Sequence, residues 1–176
     1  MTALTYPLFT PRLRLEPVTP ELAAAARLGE GAFEDMIGAE APHEWSAGSL
    51  ALIGRSAHAV WGPPAEPIRA VLVHRGEECV IGDVRFEPSM RAARQFEIGY
   101  SVAKSRRRQG FAVEGAGAVI DWLFDEGGAE TIVAGCDMRN GASVRTLRRL
   151  GFWLDRAEGQ AFWWLLTADL RSAKRA

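Results

Sequence analysis

Six consecutive residues, Arg107-Arg108-Gln109-Gly110-Phe111-Ala112, join a strand-like run from Phe96 to Val102 to a helix-like run from Ala112 to Phe124. A basic, glycine-containing turn in that position is an anion-binding device. The first turn of a helix carries backbone N–H groups with no intrahelical acceptor, and the helix dipole adds partial positive charge there. Gly110 lets the backbone come close to a ligand, while Lys104, Arg106, Arg107 and Arg108 supply mobile charge. The ligand such a turn expects is a phosphate or pyrophosphate. A second group with chemical potential lies just upstream. Glu97 is a carboxylate inside an otherwise apolar strand, on the face opposite Phe96, Ile98 and Tyr100. It is either a proton acceptor or a strand glutamate that is solvated or salt-bridged.

The phosphate ligand can be narrowed by spelling. No glycine is followed by Lys-Ser or Lys-Thr at the spacing of a P-loop. A dinucleotide fold requires G-x-G-x-x-G directly after a first strand, whereas Gly115 and Gly117 fall inside the helical run. What remains is R-x-x-G-x-A, filled by Arg107, Gly110 and Ala112; by itself it also describes a solvated basic turn. It resembles the pyrophosphate-binding motif of the GCN5-related N-acetyltransferases (GNAT). Further features follow in that family's order: the strand Phe96-Glu97-Ile98-Gly99-Tyr100-Ser101-Val102, then Asn140-Gly141-Ala142-Ser143 and Leu150-Gly151-Phe152, similar to an N-x-x-S/A … L-G-F signature. The opening Thr10-Pro11-Arg12-Leu13-Arg14-Leu15-Glu16-Pro17 is similar to the first strand of the RimJ/RimL-like subgroup, which acetylates the N-termini of ribosomal proteins.

The elements that must position these residues read as an α+β layered fold. Leu13 and Leu15 alternate with Arg12 and Arg14, the period of a half-buried strand. Thr19-Pro20-Glu21 starts a helix with a threonine cap, proline at the first position and an acid in the first turn. Gly29 to Pro67 spells nothing recognisable, and Pro63, Pro64 and Pro67 mark a loop. Ile68–Val73 and Cys79–Phe86 form a hairpin across Arg75-Gly76-Glu77-Glu78, and a turn from Pro88 to Arg94 leads to the Phe96 strand. In the long helix Ala112, Ala116, Val119, Ile120 and Leu123 share a face, and Gly127-Gly128 ends it. Thr131–Asp137 is a strand, and Phe152–Leu154 and Phe162–Leu166 flank Glu158-Gly159 as a last hairpin. The resemblance implies one GNAT domain over residues 1–176, with a central, mostly antiparallel mixed sheet that splays in the middle and is flanked by helices.

Composition sets the outer limits. A chain of 176 residues is long enough for one well-filled core and marginal for two domains. Its net charge of -1 makes the basic turn a local feature, so no nucleic-acid partner is expected. Cys79 and Cys136 lack a C-x-x-C partner, and His43, His58 and His74 are scattered, so no metal site is expected. No apolar run approaches a membrane span, and the N-terminus lacks a signal-peptide plan; a soluble cytoplasmic protein without a membrane partner is the expectation.

The resemblance also implies chemistry. The co-substrate would be acetyl-CoA and the acceptor a primary amine, on a protein N-terminus or a small molecule, with direct transfer in a ternary complex. Pantetheine would extend the edge of Tyr100, Ser101 and Val102, and the pyrophosphate would sit on Arg107, Arg108, Gln109, Gly110, Phe111 and Ala112. Asn140 would contact pantetheine or a water and also caps a helix, Glu97 would be the base and Ser143 the acid. Many members place a tyrosine four residues after the Ser143 position; here Leu147 stands there. That absence supports the alternative, a non-catalytic acyl-CoA-binding module. Asp83, Glu87 and Asp137, at or near strand ends, are weaker bases, and Cys136 reads as a buried strand cysteine. Trp153, Trp163 and Trp164 suggest core or homodimer packing, and Trp45 a wall of the acceptor pocket.

Overall fold

Eight strands in the order β1-β2-β3-β4-β5-β6-β8-β7 form one sheet in the computed structural model, which describes residues 4–56 and 68–175. The strands are β1 (Leu8–Phe9), β2 (Leu13–Pro17), β3 (Ile68–His74), β4 (Cys79–Pro88), β5 (Gln95–Val102), β6 (Thr131–Asp137), β7 (Trp153–Glu158) and β8 (Ala161–Thr167). The helices are α1 (Pro20–Leu28), α2 (Glu30–Ile37), α3 (His43–Arg55), α4 (Phe111–Asp125), α5 (Gly141–Leu150) and α6 (Ala168–Arg175). The proline loop and His58 of the sequence reading lie outside the described residues.

Every strand pairing is antiparallel except that of β5 with β6, which the α4 crossover makes parallel. That one parallel ladder is short. It joins Gln95, Phe96 and Glu97 to Thr131, Ile132 and Val133, and then stops. On its other side β5 stays paired with β4 as far as Val102, and β6 stays paired with β8 as far as Asp137. From Ile98 to Val102 the edge of β5 that faces β6 is therefore open, and the sheet splays.

Two hydrophobic layers hold the sheet. On one face Leu72, Phe86, Phe96, Ile98 and Ile132 are buried against Ala116, Val119, Ile120 and Leu123 of α4 and Leu147 and Leu150 of α5. On the other face Val71, Val73 and Val80 are buried under α1–α3, through Leu22, Phe33, Trp45 and Ile53. Burying side chains of this size stabilises by roughly 1.5–3 kcal/mol each. The α1 start has the expected cap, with Leu22 N donating to Thr19 Oγ1 at 3.2 Å.

The structure adds elements that local sequence did not mark. Helices α2 and α3 fill the unreadable stretch, β1 extends the sheet before β2, and α6 follows β8. The last hairpin does not add in chain order: β8 inserts beside β6 and β7 forms the sheet edge. Trp164 is buried, whereas Trp153 is 52% exposed on that edge.

Candidate active site

The turn after β5 is built to present backbone amides. A single 3₁₀ turn, Lys104–Arg106, follows the strand, and Arg107 is extended. Arg108 then takes a left-handed conformation with φ 64°, and Gly110 another with φ 85° as the N-cap of α4. Successive amides around left-handed residues form an anion-binding concavity. A non-glycine residue at positive φ is strained, and such strain collects at functional sites. The first bond of α4 runs from Glu114 N to Gly110 O at 3.0 Å, so the amides of Phe111, Ala112 and Val113 come before any intrahelical acceptor.

Neighbours brace this turn. Arg12 donates from Nη1 to Gln109 O at 3.0 Å, ion-pairs with Glu114 at 2.6 Å and stacks on Phe111 with its carbon 4.4 Å from the ring centre. Glu44 of α3 accepts from the amide and hydroxyl of Ser105 at 2.8 and 2.6 Å, and those bonds hold its carboxyl below the usual range. Arg106 is tied to Glu77 at 2.7 Å. Arg107 donates from Nε to Val102 O at 3.0 Å, which fixes the end of the open strand.

The splay and the turn open into one cleft of about 730 Å³. Tyr100, Ser101 and Val102 form its strand wall, Arg107, Arg108, Gly110, Phe111 and Ala112 its turn, and Asn140 and Ser143 its α5 wall. Gln109 contributes no lining; its side-chain nitrogen turns back to Ser105 O at 3.4 Å. Asn140 caps α5 by accepting from Ser143 N at 3.1 Å. A more open groove of about 520 Å³ lies between β1 and α4, where the carboxylates Glu114, Asp121, Asp125 and Glu126 outnumber the Arg171 guanidinium and disfavour a phosphate.

Two side chains in the cleft carry groups that local sequence did not reveal. The Tyr100 hydroxyl crosses from β5 to α5 and donates to Ser143 O at 3.4 Å. Burial pushes its phenol up to about 12, so the proton stays on. The Ser101 hydroxyl points the other way, through the sheet plane, and donates to Asp83. Gly82 makes room for this stretch of β5, since a Cβ there would stand 2.1 Å from Ser101 O.

Asp83 is not near a strand end as the spelling suggested. It sits within β4, 4% exposed, opposite Ser101, and its carboxylate also takes Arg69 Nη1 at 2.6 Å and Trp45 Nε1 at 3.3 Å. Trp45 is correspondingly buried against Phe33 rather than walling an open pocket. Glu97 is half-buried on the same face of the sheet, outside the cleft wall. It is not isolated: Arg85 Nη2 stands 4.0 Å away, and Glu87 faces it across the β4–β5 ladder. Glu87 itself pairs with Arg85 at 3.1 Å, and Asp137, at the end of β6, binds Arg139. Cys136 is half-buried rather than buried. Among the described residues no group of three or more His, Cys, Asp or Glu could hold a metal ion, and no helix is long and apolar enough to cross a membrane.

Comparison with known proteins agrees with this geometry. Two relatives from Bacillus subtilis are named as uncharacterized N-acetyltransferases: YjdG, 30% identical over 95 residues, and YnaD, 31% identical over 98. The matches cover 54% and 56% of this chain and 56% and 54% of those proteins, so the chain spans about half the length of the curated relatives it matches. Among solved structures, a GCN5-related N-acetyltransferase from Brucella melitensis superposes with a TM-score of 0.68 at 19% identity, over 99% of this chain and 86% of that one. Mycobacterium smegmatis RimJ, in complex with CoA-disulfide, superposes with a TM-score of 0.61 at 19% identity, over 89% of this chain and 82% of that one. At such identities the likeness is one of fold. Residues 12–153 match the acetyltransferase (GNAT) domain, and the chain belongs to that family.

Proposed function

We propose that this chain transfers the acetyl group of acetyl-CoA to a primary amine, by direct attack within a ternary complex. The observation that carries this reading is the junction of the Arg108–Gly110 nest with the open edge of β5 in one cleft. A ligand with a pyrophosphate at one end and amide groups along its length fits both features together. The amides of Phe111, Ala112 and Val113 would hold the pyrophosphate, with Arg107 and Arg108 beside it. Pantetheine amides would pair with the open backbone edge from Tyr100 to the Val102 amide, a form of strand addition, with Val102 O already held by Arg107.

The chain's own groups then have distinct tasks. The amine nitrogen attacks the thioester carbonyl, the C–S bond breaks and the electron pair leaves on sulfur. Glu97, on the α1–α3 face of the sheet, takes the amine proton through water, with Arg85 orienting its carboxylate. A free thiol has a pKa of about 8.5, so sulfur leaves readily as thiolate near neutral pH. Tyr100 would donate a hydrogen bond to it from beside Ser143, as a proton donor set on the strand where Leu147 on α5 has none. Ser143 would contribute its own hydroxyl. The Tyr100 phenol thus supplies what the missing α5 tyrosine would, the one ground for a non-catalytic acyl-CoA-binding module.

The acceptor is a protein N-terminus or a small-molecule amine. An α-amine, with a pKa of about 8, loses its proton more readily than a lysine at about 10.4, so dependence on Glu97 should be steeper for lysine-like acceptors. Incubating the chain with acetyl-CoA and an amine panel, with thiol release and mass of the amine both measured, tests the reading. An acetylated amine in step with thiol release supports it. Acetyl-CoA binding without turnover across both acceptor classes supports the binding module instead.

A further inference from the structure

Asp83, Glu87 and Glu97 share one face of the sheet with Arg69 and Arg85, and their charges are paired unevenly. Register puts Arg69 of β3 opposite Arg85 of β4, and Glu87 of β4 opposite Glu97 of β5. Like charges directly opposite one another destabilise a ladder, so each needs a counter-ion close by. Arg69 has Asp83, at 2.6 Å. Arg85 has Glu87, to which its Nη1 donates a hydrogen bond of 3.1 Å. Glu97 is left over. Among the described residues its one ion pair is with Arg85 Nη2 at 4.0 Å, and its carboxylate accepts no hydrogen bond.

Gly99 makes that division possible. It lies opposite Arg85, and a Cβ there would stand 2.7 Å from Arg85 Nε, so a bare backbone is what lets the arginine lie along β5. The guanidinium then ends between two glutamates on neighbouring strands, one cation facing two anions. It is bound to Glu87 and only near Glu97. Arg85 is 36% exposed and both glutamates are 30% exposed, so no packing locks the choice. With Glu87 neutral, the nearest anion to the same arm would be Glu97. An arginine in direct contact favours the ionised carboxylate and so weakens it as a proton acceptor.

We infer that Glu87 is a positioning residue for the transfer: it holds Arg85 in a hydrogen-bonded pair and so keeps the Glu97 carboxylate open to the amine proton. The inference rests on Glu97 as the base and names the side chain that protects it. Glu87 acts through Arg85 and not on the amine.

The test follows single-turnover acetyl transfer, with the chain in excess over acetyl-CoA, to the first amine of a panel found acetylated by mass. Glu87→Gln keeps the shape of the side chain and removes its charge. Arg85 then turns to Glu97, and the transfer rate should fall about tenfold to a hundredfold, within the contribution of a general base. The acetyl-CoA Kd should not change, because these residues lie outside the cleft wall. Adding Arg85→Gln removes the competing cation, so Glu87→Gln/Arg85→Gln should be faster than Glu87→Gln and within about fivefold of the wild type. A purely structural Glu87 would give the opposite order, with the double variant the slower.

Glu87→Gln at the wild-type rate, or a double variant no faster than the single one, would overturn the inference and leave acetyl transfer standing. If the single variant does not fold, the double variant decides, since neither charge is left unpaired in it; a rate more than about fivefold below wild type would overturn the inference. A wild-type rate in Glu97→Gln would remove the base and this inference together. No acetylated amine from the wild-type chain would end the acetyl-transfer reading itself.

Discussion

The Tyr100 hydroxyl on β5 lies 3.4 Å from the Ser143 carbonyl oxygen in the first turn of α5, linking the two walls of the cleft across 43 residues of chain. Burial keeps its phenol protonated, and the proposed transfer uses it as the donor to the departing sulfur. Tyr100→Phe removes only the donor. In this variant kcat should fall about ten- to a hundred-fold, the cost of one hydrogen bond to a charged group, with the acetyl-CoA Kd unchanged. An unchanged kcat in steady-state assays would leave the thiolate without this donor.

The same phenol gives a stability signature. Its folded value of about 12 lies above the ordinary 10.0, so between these pH values the folded chain keeps a proton that the unfolded chain has released. That stability is fully present below pH 10 and is lost as pH rises through 12, on the order of 3 kcal/mol in all. Denaturant midpoints of the wild-type chain should fall more steeply over this window than those of Tyr100→Phe. Parallel slopes would show that the phenol is solvated.

Gly110→Glu places a carboxylate where the nest would hold the pyrophosphate. Binding of acetyl-CoA should be lost. Folding should survive, because among the described residues only Arg12 Nη2 stands within 4 Å of a Cβ there, at 3.5 Å, and the φ of 85° costs about 1–3 kcal/mol for a non-glycine residue. Circular dichroism and calorimetry on one sample check both halves. A folded variant with normal affinity would move the phosphate elsewhere.

Much of this turn was legible because it is local. The order Arg107, Gly110, Ala112, with a strand before and a helix after, is carried by consecutive residues. What was not legible depends on pairing. Asp83 spelled as a strand-end acid, yet register sets it opposite Ser101 and beneath Trp45, where its three partners come from β3, β5 and α3. Glu97 looked isolated because Arg85 reaches it across a neighbouring strand. Helices α2 and α3 lacked signals for a related reason: α2 has no side-chain cap, and both are held by burial of Phe33, Trp45 and Ile53 against the sheet. The position of β8 between β6 and β7 is likewise a tertiary fact that a hairpin signal cannot carry.

Asp83→Asn tests the buried pairing directly. It leaves the Arg69 guanidinium, 11% exposed, without its counter-charge. Breaking a buried pair by removing one partner costs about 3–5 kcal/mol. Urea unfolding should show a loss of that order, and a loss below about 1 kcal/mol, the surface-pair range, would mean that water reaches the pair.

Glu97→Gln should lower kcat by about two to four orders of magnitude without changing the acetyl-CoA Kd, and the acidic limb of the pH–rate profile should disappear or move. Cys136→Ala is the paired control and should keep most of the rate, since direct transfer needs no acyl-enzyme. A dead Cys136 variant beside an active Glu97 variant would replace direct transfer with an acyl-enzyme route.

The most direct measurement of the central claim is mass spectrometry of an amine panel, N-terminal peptides and small amines together, after incubation with the chain and acetyl-CoA, with thiol release followed in the same tubes. At least one amine should become heavier by one acetyl group, in amounts equal to the thiol released, and Gly110→Glu should give neither signal. Tight binding of acetyl-CoA with no acetylated amine and no thiol release in any tube would contradict it.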